Sequence, residues 1–170
     1  MAAGVCPMIG SANEVMNLAA KAARGGGAPV AQAYAFGRAA ACHLIAERPA
    51  ADLDTALDAL PKGPILDLPL LLMACAEARQ NEAVIPGGPL PDLTLSYAQS
   101  QSFACTATRS GSQITLSQTF DQPAAQLPIK RVMLPDALAA KMQALAAGLL
   151  VPETEASRRA GAGAGLTDND

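Results

Sequence analysis

Residues 86–97 read Pro-Gly-Gly-Pro-Leu-Pro-Asp-Leu-Thr-Leu-Ser-Tyr, and the chain changes character across them. Before them alanine-rich segments recur with helical punctuation. After them threonine, serine and glutamine alternate with apolar residues, the period-two pattern of half-buried strands. Leu93 to Tyr97 alternates cleanly and is predicted as a first strand, with Phe103 to Thr108 as a second. Ser110-Gly111-Ser112 is a turn signal, and Ile114 to Phe120 follows as a third strand. A fourth, Ile129 to Leu134, lies between Pro128 and Pro135, a bracket suited to a sheet edge because proline cannot donate to a ladder. Pro135-Asp136 then opens a helix with Leu138, Met142, Leu145 and Leu149 at helical spacing, a stripe expected to pack on the sheet.

Upstream, Ser11-Ala12-Asn13-Glu14 has the spacing of a capping box and starts a helix of about residues 12–24, stopped by Gly25-Gly26-Gly27. A long second helix runs from Ala28 to Glu47, with Pro49 beyond its end. A short helix is expected over 52–60. A further one over 65–81 is apolar almost all round through Leu68 to Ala76 and so is expected at the centre of the fold. Helices, then strands, then a helix predict an α+β arrangement with N-terminal helices, a three- to four-stranded antiparallel sheet and a C-terminal helix. A single domain over 1–151 is expected, with its helical part at 11–81, its sheet at 92–134 and its last helix at 135–149. Residues 152–170, with Ala160 to Gly165 in strict Ala-Gly alternation, read as a flexible tail.

Composition narrows the function classes. Of 170 residues 51% are hydrophobic and 16% charged, enough apolar surface to offset the entropy of folding. Only 3% are aromatic, so the core must come from aliphatic residues and alanine, which means close helix packing. A net charge of -3, with lysines and arginines read as scattered singly, is not the footprint of phosphate neutralisation, so no nucleic-acid partner is expected. No apolar run is long enough for a bilayer, and Met1 to Gly10 has no basic residue and no long apolar stretch. No membrane partner is expected, and the location is expected to be cytoplasmic. Cys6, Cys42, Cys75 and Cys105 lie far apart and one histidine accompanies them, so zinc is excluded, no cofactor is expected, and the thiols read as reduced core residues.

Asn13-Glu14-Val15, Lys21-Ala22-Ala23-Arg24-Gly25 and Gly37-Arg38-Ala39 resemble the start of an uncharacterised bacterial family, domain of unknown function family 3726. Val151 to Arg158 and Gly161-Ala162-Gly163-Ala164-Gly165 look like its C-terminal part. The resemblance covers about a third of the chain and implies a bacterial protein, with no activity, cofactor or catalytic residue to carry over.

Chemistry must be sought among few groups. His43 is the only histidine; with Val30, Tyr34, Ala41 and Ile45 taken as the buried stripe of the second helix, it points to solvent or a second layer. Arg38 falls at the edge of that stripe, where a guanidinium needs an acceptor, and Glu14 is a candidate partner. Glu14, Asn17, Lys21 and Arg24 share one side of the first helix, opposite Val15, Leu18, Ala19 and Ala22. If that side meets Arg38, the cations form an anion site oriented by Glu14. Thr94, Ser96, Thr106, Thr108, Thr115, Ser117 and Thr119 read as the solvated face of the sheet. Asp92 and Asp121 have no carboxylate partner for acid/base work.

Two functions fit these residues. One is a non-catalytic binding or interaction protein, which an Ala-rich core of this size also suits as a homodimer. The other is a small metabolic enzyme or accessory protein that binds an anionic metabolite near Glu14, Lys21, Arg24 and Arg38.

Overall fold

A computed structural model describes residues 8–126, 128 and 130–149; the expected tail at 152–170 and Cys6 lie outside them. In chain order the elements are β1 (Met8–Ser11), α1 (Ala12–Gly25), α2 (Val30–Ile45), α3 (Ala50–Asp58), α4 (Pro64–Glu77), β2 (Glu82–Pro86), α5 (Pro91–Gln99), β3 (Phe103–Ser110), β4 (Gln113–Pro123), β5 (Arg131–Leu134) and α6 (Asp136–Ala147). The fold is α+β, with helices first, antiparallel strands in the middle and a helix last.

α1 begins at the expected capping box. Ser11 Oγ accepts from the Glu14 amide at 3.2 Å, and the Ser11 amide donates to Glu14 Oε2 at 2.7 Å, so two otherwise orphan donors are satisfied. Val15, Ala19, Ala22 and Ala23 form its buried face. α2 lies so close to α1 that a Cβ on Gly37 would stand 2.5 Å from the Met16 carbonyl oxygen and 3.0 Å from Ala20 Cβ. Small residues make that approach possible, and the few aromatics follow from it. α6 also packs chiefly on α1, where Gly25 meets the backbone at Leu145, and not on the sheet as its stripe suggested.

The strand expected over Leu93 to Tyr97 is helix α5. Pro91 sits in the first turn, where its missing N–H costs nothing, and Asp92 follows with the charge that a helix start favours. The polar residues of the apparent alternation sit over the helix backbone: Thr94 Oγ1 lies 3.2 Å from the Leu90 carbonyl and 3.0 Å from that of Gly87, and Ser96 Oγ lies 2.8 Å from the Asp92 carbonyl. Leu93, Thr94, Ser96, Tyr97 and Ala98 are all buried, so α5 is covered nearly all round. That central position was expected of α4. Instead α4 buries only Ile65 and Leu72 fully, leaving Leu70 48% and Met73 52% exposed. It also ends at Glu77, earlier than expected.

The chain next forms β2, which the alternation did not announce because Glu82-Ala83 is poor strand sequence. β4 is the middle strand of a sheet ordered β2-β4-β3. Ile114, Leu116 and Gln118 point to the core, while Ser117, Thr106 and Thr108 are exposed as expected. Thr94 and Ser96, expected beside them, are on α5 instead. β5 is not a fourth strand of this sheet: it pairs antiparallel with β1, Gly10 opposite Val132, in a separate two-stranded ribbon. Val132 and Leu134 face inward, and Ile9 and Met133, directly paired, face outward.

Candidate functional site

The buried stripe of α2 runs through Ala33, Phe36, Gly37, Ala40, His43 and Leu44. Of the expected stripe Ala41 is buried and Ile45 packs against the core, but Val30 and Tyr34 are 51% and 60% exposed, and His43 turns inward to 0% exposure. Part of the reason is packing distance: where α2 meets α1 at Met16 and Ala20 there is no room for a Cβ at Gly37, while Phe36, His43 and Leu44 are also buried.

His43 is held from two sides. Its Nε2 lies 2.9 Å from the Pro49 carbonyl, which can only accept, so Nε2 carries a hydrogen. Its Nδ1 lies 2.9 Å from Ser96 Oγ. Burial lowers the His43 pKa and Arg48 pushes the same way, opposed by the Pro49 hydrogen bond and by Asp52 and Asp92, leaving the ring favoured as neutral imidazole. Nδ1 then accepts, and the Ser96 hydroxyl is its donor. That hydroxyl has one proton and two acceptors in reach, Nδ1 and the Asp92 carbonyl, while its oxygen accepts from Arg48 Nη1 at 2.8 Å. Arg48 Nη2 donates to Gln99 Oε1 at 2.7 Å, and the Cys42 thiol reaches the same oxygen at 3.8 Å.

A serine bonded to an imidazole has the composition of a nucleophile and its base. Here both side chains are 0% exposed, so no substrate atom reaches Ser96 Oγ. Burial raises the Cys42 pKa, against Arg48, so Cys42 stays a thiol and not a nucleophilic thiolate. The cluster is a clasp joining α2, the 46–49 connection and α5, and its outward product is a fixed Arg48 guanidinium.

Arg48 lines a cleft of about 460 Å³ between the end of α2 and the β5 ribbon, together with Glu47, Lys130 and Arg131. Glu47 adopts a left-handed backbone, φ 56°, and its Oε1 lies 2.7 Å from Lys130 Nζ; that ammonium holds the carboxyl below its usual range. Leu44 and Val132, 8% and 2% exposed, supply apolar floor, with Met133 and Pro135 at the side. Three cations against one carboxylate leave two positive charges in the cleft, on a chain of net charge -3. Such local convergence focuses potential on an incoming anion despite the opposite overall sign. A larger, more open groove at Asn81, Glu82 and Ser117 to Asp121 offers two carboxylates and no cation.

Of the residues expected to bind a ligand, Glu14 is engaged in the capping box, and its pKa is lowered first by the Ser11 amide, then by the Ser11 hydroxyl, with Arg131 adding to it. Lys21 and Arg24 are exposed on α1 and Arg38 is half-buried on α2. No hydrogen bond or ion pair joins any of the four to another among the described residues, and none of them lines the clefts above. Arg48, Lys130 and Arg131 were missed. Their signal was the adjacent Lys130-Arg131 pair, passed over in reading the basic residues as isolated. Cys42 is buried and Cys75 and Cys105 half-buried, all three free, and among the described residues His43 bonds to serine and backbone but to no cysteine.

Among the described residues no group of three His, Cys, Asp or Glu side chains could hold a metal, and no helix is long and apolar enough to cross a membrane. No family model, curated protein or solved structure matches the chain.

Proposed function

We propose that this chain is a non-catalytic binding protein of the bacterial cytoplasm whose ligand is a small organic anion, seated in the cleft of Arg48, Lys130 and Arg131. The carrying observation is the convergence of those three cations over an apolar floor, in a volume of the size that small-molecule sites have. Arg48 is pre-oriented by Ser96 and Gln99, which lowers the ordering cost of binding. Sealing of Ser96 and His43 from solvent supports binding over catalysis. The proposal keeps the anionic ligand expected from sequence and moves it from Glu14, Lys21, Arg24 and Arg38 to this cleft. Membership of the family named above stays part of the proposal on the strength of its residues and adds no activity. Nucleic acid and membrane are not proposed as partners.

The test is thermal unfolding with and without acetate, citrate or inorganic phosphate. At one hundred times Kd a ligand adds about 2.7 kcal/mol, or about 5–11 °C for a chain of this size. The gain should shrink with added salt and in Arg131→Ala. A gain that survives Arg131→Ala and Lys130→Ala alike would place the anion elsewhere.

A second reading is a homodimer formed through the β1–β5 ribbon. Among the described residues neither strand has a further neighbour, and Ile9 and Met133 are 57% and 64% exposed on its outer face. Unpaired edges template strand addition, and isolated two-stranded ribbons are marginal. Sedimentation velocity showing a monomer at all concentrations rejects it.

A further inference from the structure

We infer that the occupant of the cationic cleft is an amphipathic monocarboxylate, its head group between Lys130 and Arg131 and its aliphatic part on Leu44, Val132 and Met133. The inference rests on the anion-binding reading and narrows it to one chemical class.

The head group is defined by what already occupies the cleft. Glu47 places a single carboxylate oxygen 2.7 Å from Lys130 Nζ, so the ammonium is in position for a carboxylate. Both partners are well exposed, with 49% and 77% of their side chains accessible, so the pair is a weak one that a ligand carboxylate can exchange with. Arg48 adds charge but no free fork, since its two terminal nitrogens are already bonded to Ser96 and Gln99. Arg131 makes no side-chain hydrogen bond among the described residues, and although its charge also acts on the nearby Glu14 carboxylate, its planar donor pair matches one ligand carboxylate.

The tail is defined by the floor. Leu44 and Val132 are packed into the core and cannot turn away, and Met133, on the opposite face of β5 at 64% exposure, lines the rim with an adaptable thioether chain. A fully hydrated polyanion gains nothing from that surface. An alkyl chain does.

The experiment is calorimetric titration of the full chain with straight-chain carboxylates of two to eight carbons, using inorganic phosphate and hexylamine as further probes. Affinity should rise about fourfold per added methylene, the fold-change corresponding to about 0.8 kcal/mol per buried CH₂. Arg131→Ala should weaken octanoate about tenfold or more, and hexylamine should not bind. Met133→Ser, at a 64% exposed position, should flatten the chain-length slope. If acetate and phosphate bind as tightly as octanoate, the amphipathic ligand is overturned and the anion site survives. If no anion binds in an Arg131-dependent way, or if hexylamine binds as well as hexanoate, the anion site itself falls.

Discussion

Replacing Ser96 by alanine tests the clasp directly. The substitution removes the only donor among the described residues in reach of His43 Nδ1 and leaves that nitrogen inside a ring of 0% exposure. An orphaned buried polar group costs about 1–3 kcal/mol. Arg48 loses one acceptor but keeps Gln99, and alanine is the better helix residue by a few tenths, so the net expectation is about 2 kcal/mol. For a chain of this size that lowers Tm by about 4–8 °C. His43→Leu removes the nitrogen itself and leaves the serine free to donate to the Asp92 carbonyl. In that background Ser96→Ala should cost under about 0.5 kcal/mol, giving a coupling of about 1.5 kcal/mol between the two positions. Urea unfolding followed by far-ultraviolet circular dichroism measures this, since the chain has no tryptophan to report by fluorescence. Equal costs of Ser96→Ala in both backgrounds, within about 0.5 kcal/mol, would refute the view that the two side chains act as one unit.

Stability should fall on acidification through His43. Its folded pKa lies below the unfolded value of 6.5, so the unfolded chain binds the proton first; its contribution is intact above pH 6.5 and is lost as pH drops from there toward the folded pKa. The slope from this group is at most about 1.4 kcal/mol per pH unit, and subtracting the pH profile of His43→Leu isolates it; identical profiles would reject the assignment. Gly37→Ala drives a Cβ into the Met16 carbonyl, a backbone atom that yields only if α1 and α2 separate, so a loss of about 1–3 kcal/mol is expected by the same urea assay. Tyr97→Phe removes a buried hydroxyl that has no partner among the described residues and should stabilise the protein by about 1 kcal/mol, read as a raised Tm. A destabilised Tyr97→Phe would show that the hydroxyl is satisfied.

The start of α1, the close approach of its alanines, the Gly111 turn and the β3–β4 hairpin were legible because each depends on residues within a few positions of one another. Leu93 to Tyr97 was misread for a related reason. Five alternating residues suit a strand until Thr94 and Ser96 are seen lying within reach of the carbonyls four residues back, inside a buried helix. The stripe of α2 was misassigned at Val30, Tyr34 and His43 because which side of the helix meets α1 and α5 is set by tertiary packing, as the close approach at Gly37 and the burial of His43 show.

By itself the sequence determined the α+β class, the helix-start chemistry at Ser11 and Glu14, and a core built from small aliphatic residues, all of them consequences of local bonding and composition. The tertiary structure alone decided that β5 pairs with β1, that His43 meets Ser96 across 53 positions, and that Arg48 shares a cleft with Lys130 and Arg131. Those juxtapositions depend on which helix faces can approach within a side chain's reach, and that is set by the summed packing of elements far apart in the chain.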